Sequence, residues 1–276
     1  MSSTPRQPNP RQSAPAVPDT RLALVRPPGP RLDEGIVTTI DRQPVDLALA
    51  RAQWEHYVGV LQKHGWRTIE VPSADDCPDA VFVEDAVVVF RNVAVVTRPG
   101  ADSRKPETPP VEAAVEALGY SINRIREPGT LDGGDVLKVG DTVYVGRGGR
   151  TNGEGIRQLR AILEPLGANV LAVPLSKVLH LKSAVTALPD GSIIGYAALV
   201  DDPGFFPHFV PVPEESGAHV VLLGGNKLLM AAGCPRSEEL FADLGYEPVI
   251  VDIGEYIKLE GCVTCLSVRL RHAPQR

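Results

Sequence analysis

The side chains best suited to covalent chemistry in this sequence are a pair of cysteines. Cys262 and Cys265 form a Cys-x-x-Cys motif. A thioredoxin-like redox motif would open a helix, whereas this one runs into a strand-like stretch at residues 266–270. A structural zinc site would need a second ligand pair, and Cys77 and Cys234 are single cysteines. Taken alone, the pair is most typical of small buried side chains, the usual environment of a free cysteine.

One histidine is placed to activate a cysteine, because a thiolate needs a basic or cationic neighbour near neutral pH. His180 stands between two leucines at the start of a strand pair, and Cys265 stands at the matching place of another pair. A histidine between leucines is more often a core residue. The chemical role of His180 is favoured only by its place in the repeat, which matches that of Cys265. The other histidines are interpreted as surface residues, namely His56, His64, His208, His219 and His272.

Carboxylates open two further strand pairs. Glu84 and Asp85 lie between apolar runs, where burial would be costly without a cationic partner. The repeat offers no Lys or Arg at an equivalent place, which favours a cationic ligand as that partner. Asp132 opens an Asp-Gly-Gly-Asp motif at the position that His180 occupies in its own copy, whereas Asp135 is interpreted as a turn residue.

Two arginines follow the second strands of neighbouring copies. Arg98 and Arg150 occupy nearly equivalent loops, and paired guanidinium groups bind a carboxylate well. Acids for a cation, arginines for an anion and a Cys with a His together indicate a zwitterionic substrate. Its cationic side chain would be attacked by a thiolate.

A repeated pattern of two short strands, a loop, an amphipathic helix and a third strand must position these residues. The clearest copies comprise residues 86–90, 93–97, 112–118 and 122–126, then 136–139, 143–146, 156–166 and 170–174. A third copy begins with the strand pair 183–188 and 192–199, and in it the Pro- and Phe-rich segment 201–215 replaces a regular helix. A fourth copy begins with the strand pair 220–223 and 227–231 and continues with a helix at 237–244 and a strand at 248–252. Repeats of this kind stack or close around an axis.

The outermost strands predict how the repeat closes. Residues 21–25 lead to a helix at 45–63 and a strand at 68–71, while the run 263–270 has no following partner. Pairing of these first and last runs would complete a fifth unit. We therefore predict an α/β fold, a closed five-bladed pseudo-symmetric propeller of ββαβ modules, which leaves no free sheet edges.

Composition narrows the possible classes of protein. The chain has 276 residues, 43% of them hydrophobic, which is enough for a sizeable core in one domain spanning 20–276. Residues 1–19 are rich in Pro and Ser and are predicted to be a disordered tail without a secretory signal. A net charge of −6 does not suggest nucleic-acid binding, and no apolar run is long enough for a membrane. Only four cysteines favour a reduced, cytoplasmic setting.

The same residues carry a family resemblance that spreads over nearly the whole chain after the tail. The chain resembles the dimethylarginine dimethylaminohydrolases of the guanidino-group-modifying (pentein) superfamily. The matching stretches, in the order of the family, are residues 78–85, 97–101, 130–136, 150–152, 179–183 and 264–267. Each stretch is weakly specific, but six of them in order form a strong signal. The resemblance implies a five-bladed propeller, in agreement with the five repeats.

The resemblance also implies roles for individual residues. Cys265 matches the nucleophile, His180 the general acid and base, and Asp132 the carboxylate that holds the guanidinium and orients the histidine. The residues that match substrate ligands are Asp79, Glu84, Asp85, Arg98, Arg150 and Glu260. Glu260 replaces a common Asp, and Leu266 replaces a common second Cys after the nucleophile.

The activity implied by the resemblance is hydrolysis of asymmetric dimethylarginine and monomethylarginine to citrulline and methylamines. Cys265 would carry an S-alkylthiouronium intermediate. No cofactor or resident metal is expected, although zinc would be an inhibitory ligand of Cys265 and His180. The expected partner is a small methylarginine, with a monomer or a homodimer left open.

Several alternatives stay open on the sequence. An arginine deiminase would release ammonia, but usually carries a long helical insertion for which this chain has no room. An amidinotransferase would need an acceptor pocket. A non-catalytic propeller scaffold would lack the Cys, His and acid set, and a redox or zinc protein would be built on Cys262 and Cys265.

Overall fold

The protein is described by a computed structural model over residues 21–270, and the predicted tail at 1–19 lies outside this range. The described strands form five three-stranded sheets. In each sheet the central strand pairs antiparallel with one neighbour and parallel with the other. This is the predicted arrangement of five ββαβ modules. Within residues 21–270, no helix has both the length and the apolar character needed to cross a membrane.

The strands follow the chain from module to module. The first sheet contains β1 (Leu22–Val25), β2 (Arg67–Glu70) and β15 (Val268–Leu270). The second contains β3 (Val87–Phe90), β4 (Val93–Val96) and β5 (Ser121–Arg124), and the third contains β6 (Val136–Val139), β7 (Thr142–Arg147) and β8 (Asn169–Pro174). The fourth contains β9 (Val185–Ala187), β10 (Ile193–Gly195) and β11 (Phe209–Pro211), and the fifth contains β12 (Val220–Gly224), β13 (Lys227–Ala231) and β14 (Glu247–Val251).

Helices cross over between the second and third strands of four modules. They are α1 (Leu47–Lys63), α2 (Thr108–Ala117), α3 (Gly153–Leu163) and α4 (Pro235–Asp243), and a short α5 (Gly254–Ile257) follows β14. The predicted start of the first helix at residue 45 is two residues early, because the Asp46 carboxylate accepts hydrogen bonds from two backbone N–H groups and so caps α1. On α1, Trp54, Tyr57 and Leu61 recur at helical spacing and are buried.

The fourth module departs from the others. A 3-10 turn at Pro203–Phe205 stands where a helix crosses in the other modules, as the irregular composition of 201–215 predicts. The sequence did not predict β11, which pairs parallel with β10. Three phenylalanines of this segment pack around Tyr144 and each other, with ring centroids 5.4–6.5 Å apart. Aromatic packing thus replaces the amphipathic helix as the cover of this module.

The ring is closed by β15, which pairs antiparallel with β1 so that Leu22 faces Leu270. The predicted closure by the first and last strands is therefore confirmed. Only residues 268–270 of the predicted strand 263–270 are paired, because Cys262–Cys265 forms a turn. Tight turns also precede the first strands of the other modules, at Val83–Ala86, Gly133–Asp135, Leu181–Ser183 and Glu215–Ala218.

Candidate active site

Four modules place a reactive side chain in the turn that precedes their first strand. Asp85 lies within the turn before β3, Asp132 and His180 directly precede the turns before β6 and β9, and Cys265 ends the turn before β15. Asp85, His180 and Cys265 line one small cavity, and Asp132 is fully buried directly behind His180. The other residues that line this cavity are Ile36, Asp79, Phe82, Arg104, Arg150, Leu179, Leu259, Glu260 and Gly261.

His180 is held between two carboxylates. Its Nε2 lies 3.0 Å from Asp132 Oδ2, and its Nδ1 lies 4.0 Å from Asp85 Oδ1. Asp132 is oriented in turn, because its Oδ1 accepts a hydrogen bond of 2.8 Å from the backbone N–H of Gly100. Burial disfavours a charge on His180, but Asp85, the hydrogen bond to Asp132 and nearby Asp135 outweigh it and raise the pKa to about 9. The imidazole is therefore a cation at neutral pH and can donate a proton.

Glycine at position 134 lets the histidine and the carboxylate approach. A Cβ atom there would lie 2.7 Å from Asp85 Oδ1 and 2.8 Å from His180 Nδ1, which is closer than real Cβ contacts. The backbone N–H of Gly134 also donates a 2.7 Å hydrogen bond to that Asp85 oxygen. The Asp-Gly-Gly-Asp motif thus supplies a backbone donor where any larger residue would displace the acid and the base.

Asp85 has a cationic partner that the sequence reading missed. Arg104 Nη1 lies 2.6 Å from Asp85 Oδ2, and its other nitrogens bind both oxygens of Glu107 at 2.9 Å. Burial disfavours the Asp85 charge, but His180 and Arg104 outweigh it and lower the pKa of Asp85 below its ordinary value. The expectation that a cationic ligand is the partner of these acids overlooked this arginine, which lies outside the equivalent places of the repeat. Arg104 lies in the 3-10 helix Asp102–Glu107 between β4 and α2, and its i, i+3 spacing to Glu107 was the available signal.

Glu84 points away from the cavity that holds Cys265. Its carboxylate binds Lys182 Nζ at 2.6 Å and Arg269 Nη2 at 3.1 Å and accepts a hydrogen bond of 2.9 Å from Thr264 Oγ1. Glu84 lines a second cavity of about 560 Å³. The expectation of a cationic ligand as the partner of Glu84 is wrong, because a lysine and an arginine from two other modules pair with its carboxylate.

Adjacent residues in these turns therefore face opposite cavities. Glu84, Lys182 and Thr264 line the larger cavity, while their neighbours Asp85 and Cys265 line the candidate site. The ion-paired groups Glu84, Lys182 and Arg269 all line the larger cavity, and none of them lines the candidate site.

Cys265 is fixed by contacts to the preceding turn and to helix α1. Its backbone carbonyl accepts a hydrogen bond of 3.2 Å from the Glu84 N–H, and the Tyr57 hydroxyl donates to the Val263 carbonyl at 2.9 Å. The Cys265 Sγ atom lies 3.2 Å from the Cys262 Sγ atom. The hydrogen bond between the thiols, burial and the nearby carboxylates raise the pKa of Cys265, and the same hydrogen bond together with His219 lowers the pKa of Cys262.

Three further candidate binding residues line the cavity, namely Asp79, Arg150 and Glu260. Asp79 accepts a hydrogen bond of 3.0 Å from the Ile36 N–H, and Arg150 Nη1 lies 3.8 Å from Asp132 Oδ2, so both face the cavity. The Glu260 carboxylate accepts hydrogen bonds of 2.7 Å from two backbone N–H groups of the loop before α1.

Arg98 does not line the cavity. Its guanidinium donates to the Gly129 carbonyl at 3.2 Å and pairs with Glu127 at 3.3 Å. The structure leaves Glu84 and Arg98 outside the site. It brings together Asp79, Asp85, Asp132, Arg150, His180, Glu260 and Cys265.

Asp135 lies in a turn, as predicted, and the structure adds that its side chain is buried, whereas the interpretation of His219 as a surface residue is wrong. Asp135 accepts hydrogen bonds from Thr151 Oγ1 at 2.6 Å and from the Leu181 N–H at 3.0 Å, and burial raises its pKa to about 6. It thereby links its own turn to the residue after His180. His219 is 8% exposed rather than a surface residue, and its Nε2 lies 2.9 Å from the Ser183 carbonyl. The pattern of polar and apolar residues along the sequence does not indicate the hydrogen bonds of Asp135 or the contact of His219 with Ser183.

A group of possible metal ligands overlaps this site. Among the described residues, Asp85, Asp132 and His180 offer ligand atoms within 4.8 Å of one another. These atoms already form the ion pairs with Arg104 and between Asp132 and His180. Cys265 does not belong to this group, so the expected inhibitory zinc pair of Cys265 and His180 stays a prediction.

Comparisons with known proteins identify relatives of this chain. No family model matches the sequence. A dimethylarginine dimethylaminohydrolase of Streptomyces coelicolor is 70% identical over 252 residues, covering 91% of this chain and 98% of the relative. The structure of the Pseudomonas aeruginosa enzyme, a Cys-to-Ser variant complexed with citrulline, superposes with a TM-score of 0.84 at 37% identity over 90% of this chain and 98% of that one. The N-terminal domain of a cyanobacterial arginine dihydrolase superposes with a TM-score of 0.82 at 20% identity, over 90% of this chain and 97% of that one, and shows the fold alone.

A closed propeller of five ββαβ modules with cysteine, histidine and carboxylates in the turns that precede its strands defines a pentein enzyme of the guanidino-group-modifying class. Within that class, the particular family is shown by the Streptomyces coelicolor relative, which is 70% identical over 91% of this chain. The chain belongs to the dimethylarginine dimethylaminohydrolase family.

Proposed function

We propose that this protein hydrolyses asymmetric dimethylarginine and monomethylarginine to citrulline, releasing dimethylamine or methylamine. The observation that carries the proposal is the meeting of a thiol, an imidazole and buried carboxylates at one cavity. The carboxylates raise the pKa of the imidazole to about 9, which favours its protonated form. Thiols attack electrophilic carbon, and carboxylates hold a guanidinium in its cationic, electrophilic form. The 70% identical relative carries the same activity in its name.

Substrate would be oriented by charge at both of its ends. Asp85 and Asp132 would accept hydrogen bonds from the guanidinium, since each carboxylate oxygen has two lone pairs and only part of them is used within the protein. Asp79 would bind the amino group and Arg150 the carboxylate. Glu260 would act through the loop that it holds, and we assign Glu84 and Arg98 no direct contact in this arrangement.

The chemistry would proceed through a covalent intermediate. A guanidinium bound beside Cys265 would lower the pKa of its thiol, because an adjacent cation favours the thiolate. The thiolate attacks the central guanidinium carbon, and the C–N bond to the methylated nitrogen breaks as His180 donates its proton to the departing amine. An S-alkylthiouronium remains on Cys265.

Neutral His180 then takes a proton from water, which attacks the same carbon. The C–S bond breaks and citrulline is released. The carboxylates that raise the pKa of His180 restore the imidazolium for the next turnover.

The nucleophile can be tested by replacing Cys265 with Ser. We expect loss of turnover and of the thiouronium adduct that acid quenching and intact-mass analysis would trap on the wild-type protein. Cys234→Ser is a matched control, because Cys234 is a buried free thiol that caps α4 far along the chain from this turn. Retained turnover, or an adduct that persists in Cys265→Ser, would exclude this assignment.

Substrate preference can be tested with a panel scored by citrulline formation. The panel comprises arginine, monomethylarginine, asymmetric and symmetric dimethylarginine, and agmatine. We expect monomethylarginine and asymmetric dimethylarginine to be preferred over arginine. A preference for free arginine would instead support the arginine deiminase alternative, which the shared propeller fold does not separate from this proposal.

We further propose that residues 20–276 form one catalytic domain, supported by the pairing of β1 with β15. A cytoplasmic location is proposed because the four cysteines are free thiols, as expected in a reducing compartment. Size-exclusion chromatography with light scattering would distinguish the monomer from the homodimer.

A further inference from the structure

Cys262 is a reactive group that the proposed hydrolysis does not use. Its side chain is buried, and its Sγ lies 3.2 Å from both Cys265 Sγ and Thr264 Oγ1. The Cys-x-x-Cys motif therefore brings a second thiol against the candidate nucleophile.

The backbone of this turn also fits a covalent bond between the two sulfur atoms. The Cys265 N–H donates a 3.0 Å hydrogen bond to the Cys262 carbonyl, which closes a four-residue turn. The Cα atoms at the ends of such a turn lie within about 7 Å, and a disulfide requires about 4.4–6.8 Å. Since an S–S bond is about 2 Å long, the sulfurs need to approach by only about 1 Å, which small side-chain rotations supply.

We propose that Cys262 and Cys265 are a reversible oxidation site, at which hydrogen peroxide converts the two thiols to a disulfide and switches the nucleophile off. In the first step Cys265 passes its proton to the Cys262 thiolate 3.2 Å away and attacks one peroxide oxygen, the O–O bond breaks, and a sulfenic acid and hydroxide form. The hydroxide takes that proton from Cys262 and becomes water. In the second step the Cys262 thiolate attacks the Cys265 sulfur, an S–S bond forms, and hydroxide leaves as water. Two thiols thereby lose two electrons and one peroxide becomes two water molecules.

The surroundings divide the two steps between the two cysteines. Cys265 lines the open cavity, so a small oxidant meets this sulfur first. His219 and the hydrogen bond from Cys265 lower the pKa of Cys262, which supplies the thiolate for the second step. The remaining cysteines, Cys77 and Cys234, are buried and burial raises their pKa, so they react more slowly.

Trypsin cleavage makes the site directly measurable. Cleavage after Lys258 and Arg269 releases residues 259–269 with both cysteines in a single peptide. Reduced full-length protein would be treated with graded hydrogen peroxide, denatured in N-ethylmaleimide and digested. We expect this peptide to lose both maleimide groups and two hydrogen atoms, in step with loss of turnover, and dithiothreitol to restore both.

Two variants sharpen the test. Cys262→Ser cannot form the bond, so peroxide should carry Cys265 to acids that dithiothreitol does not reduce, and turnover should stay lost. Cys234→Ser should behave as the wild type. The peptide mass needs no turnover, so it decides this proposal even if the proposed substrate is wrong.

Three results would overturn the proposal. They are inactivation by peroxide without the internally linked peptide, equal recovery of Cys262→Ser and the wild type with dithiothreitol, and a linked peptide that forms only after the protein is unfolded.

Discussion

Replacing Asp132 with Asn isolates the carboxylate that bonds His180. The side chains have nearly the same shape, and the amide oxygen can still accept the hydrogen bond from the Gly100 N–H. The amide lacks the negative charge that favours a protonated ring. We therefore expect a folded protein in which His180 loses its proton at lower pH.

The magnitude follows from the surroundings of His180. Its pKa is raised from 6.5 to about 9, and each pKa unit corresponds to between 1 and 2 kcal/mol, so the charged ring is favoured by roughly 3 kcal/mol. Asp85, Asp132 and Asp135 share this effect. Removing one of three charges should lower the pKa by about one unit, a loss of between 1 and 2 kcal/mol.

Histidine NMR titration measures this shift directly, and unfolding in urea measures its effect on stability. Since the pKa is raised on folding, the stabilisation is complete below the unfolded pKa and is lost as the pH rises through the folded value. The wild type should exceed Asp132→Asn in stability most at about pH 6 and progressively less towards about pH 9. Asp141→Asn, an exposed carboxylate, is the control. An ordinary His180 pKa in the wild type, or no shift in the variant, would refute this reasoning.

Other predictions concern the groups around the site. Arg104→Gln leaves two buried carboxylates without their cation and should cost about 3–5 kcal/mol in urea unfolding, whereas Arg31→Gln, in an exposed pair, should change little. Gly134→Ala should lower kcat by displacing the acid and base, while Gly59→Ala, in open space within α1, should raise stability by about 0.5–1 kcal/mol. Glu260→Ala should accelerate backbone hydrogen exchange of the loop before α1 without lowering the unfolding midpoint much; unchanged exchange would contradict the role given to this carboxylate.

Most of the architecture could be predicted because each module repeats one local pattern. Short apolar runs and turn glycines mark the strand pairs, and the place just before each first strand puts Asp85, Asp132, His180 and Cys265 in or next to corresponding turns. The irregular fourth module followed from its lack of helical periodicity, but β11 is only three residues long, which is too short for an alternating pattern.

The partners of the buried acids could not be predicted in the same way. Arg104 lies in a 3-10 helix between β4 and α2 that has no counterpart in the predicted repeat, and Arg269 reaches Glu84 across 185 positions of sequence. Such contacts depend on where long side chains end in space, and local patterns do not determine that. The division of neighbouring residues between two cavities also became apparent only from the turns themselves.

The closure of the ring by β15 affects the order in which the protein becomes active during synthesis. The strand that seals the propeller follows directly after the turn that holds Cys265, so the two leave the ribosome almost together. A shorter nascent chain has neither a closed ring nor the thiol. Chain order thus keeps an incompletely assembled active site from displaying its reactive sulfur before the surrounding modules can fold.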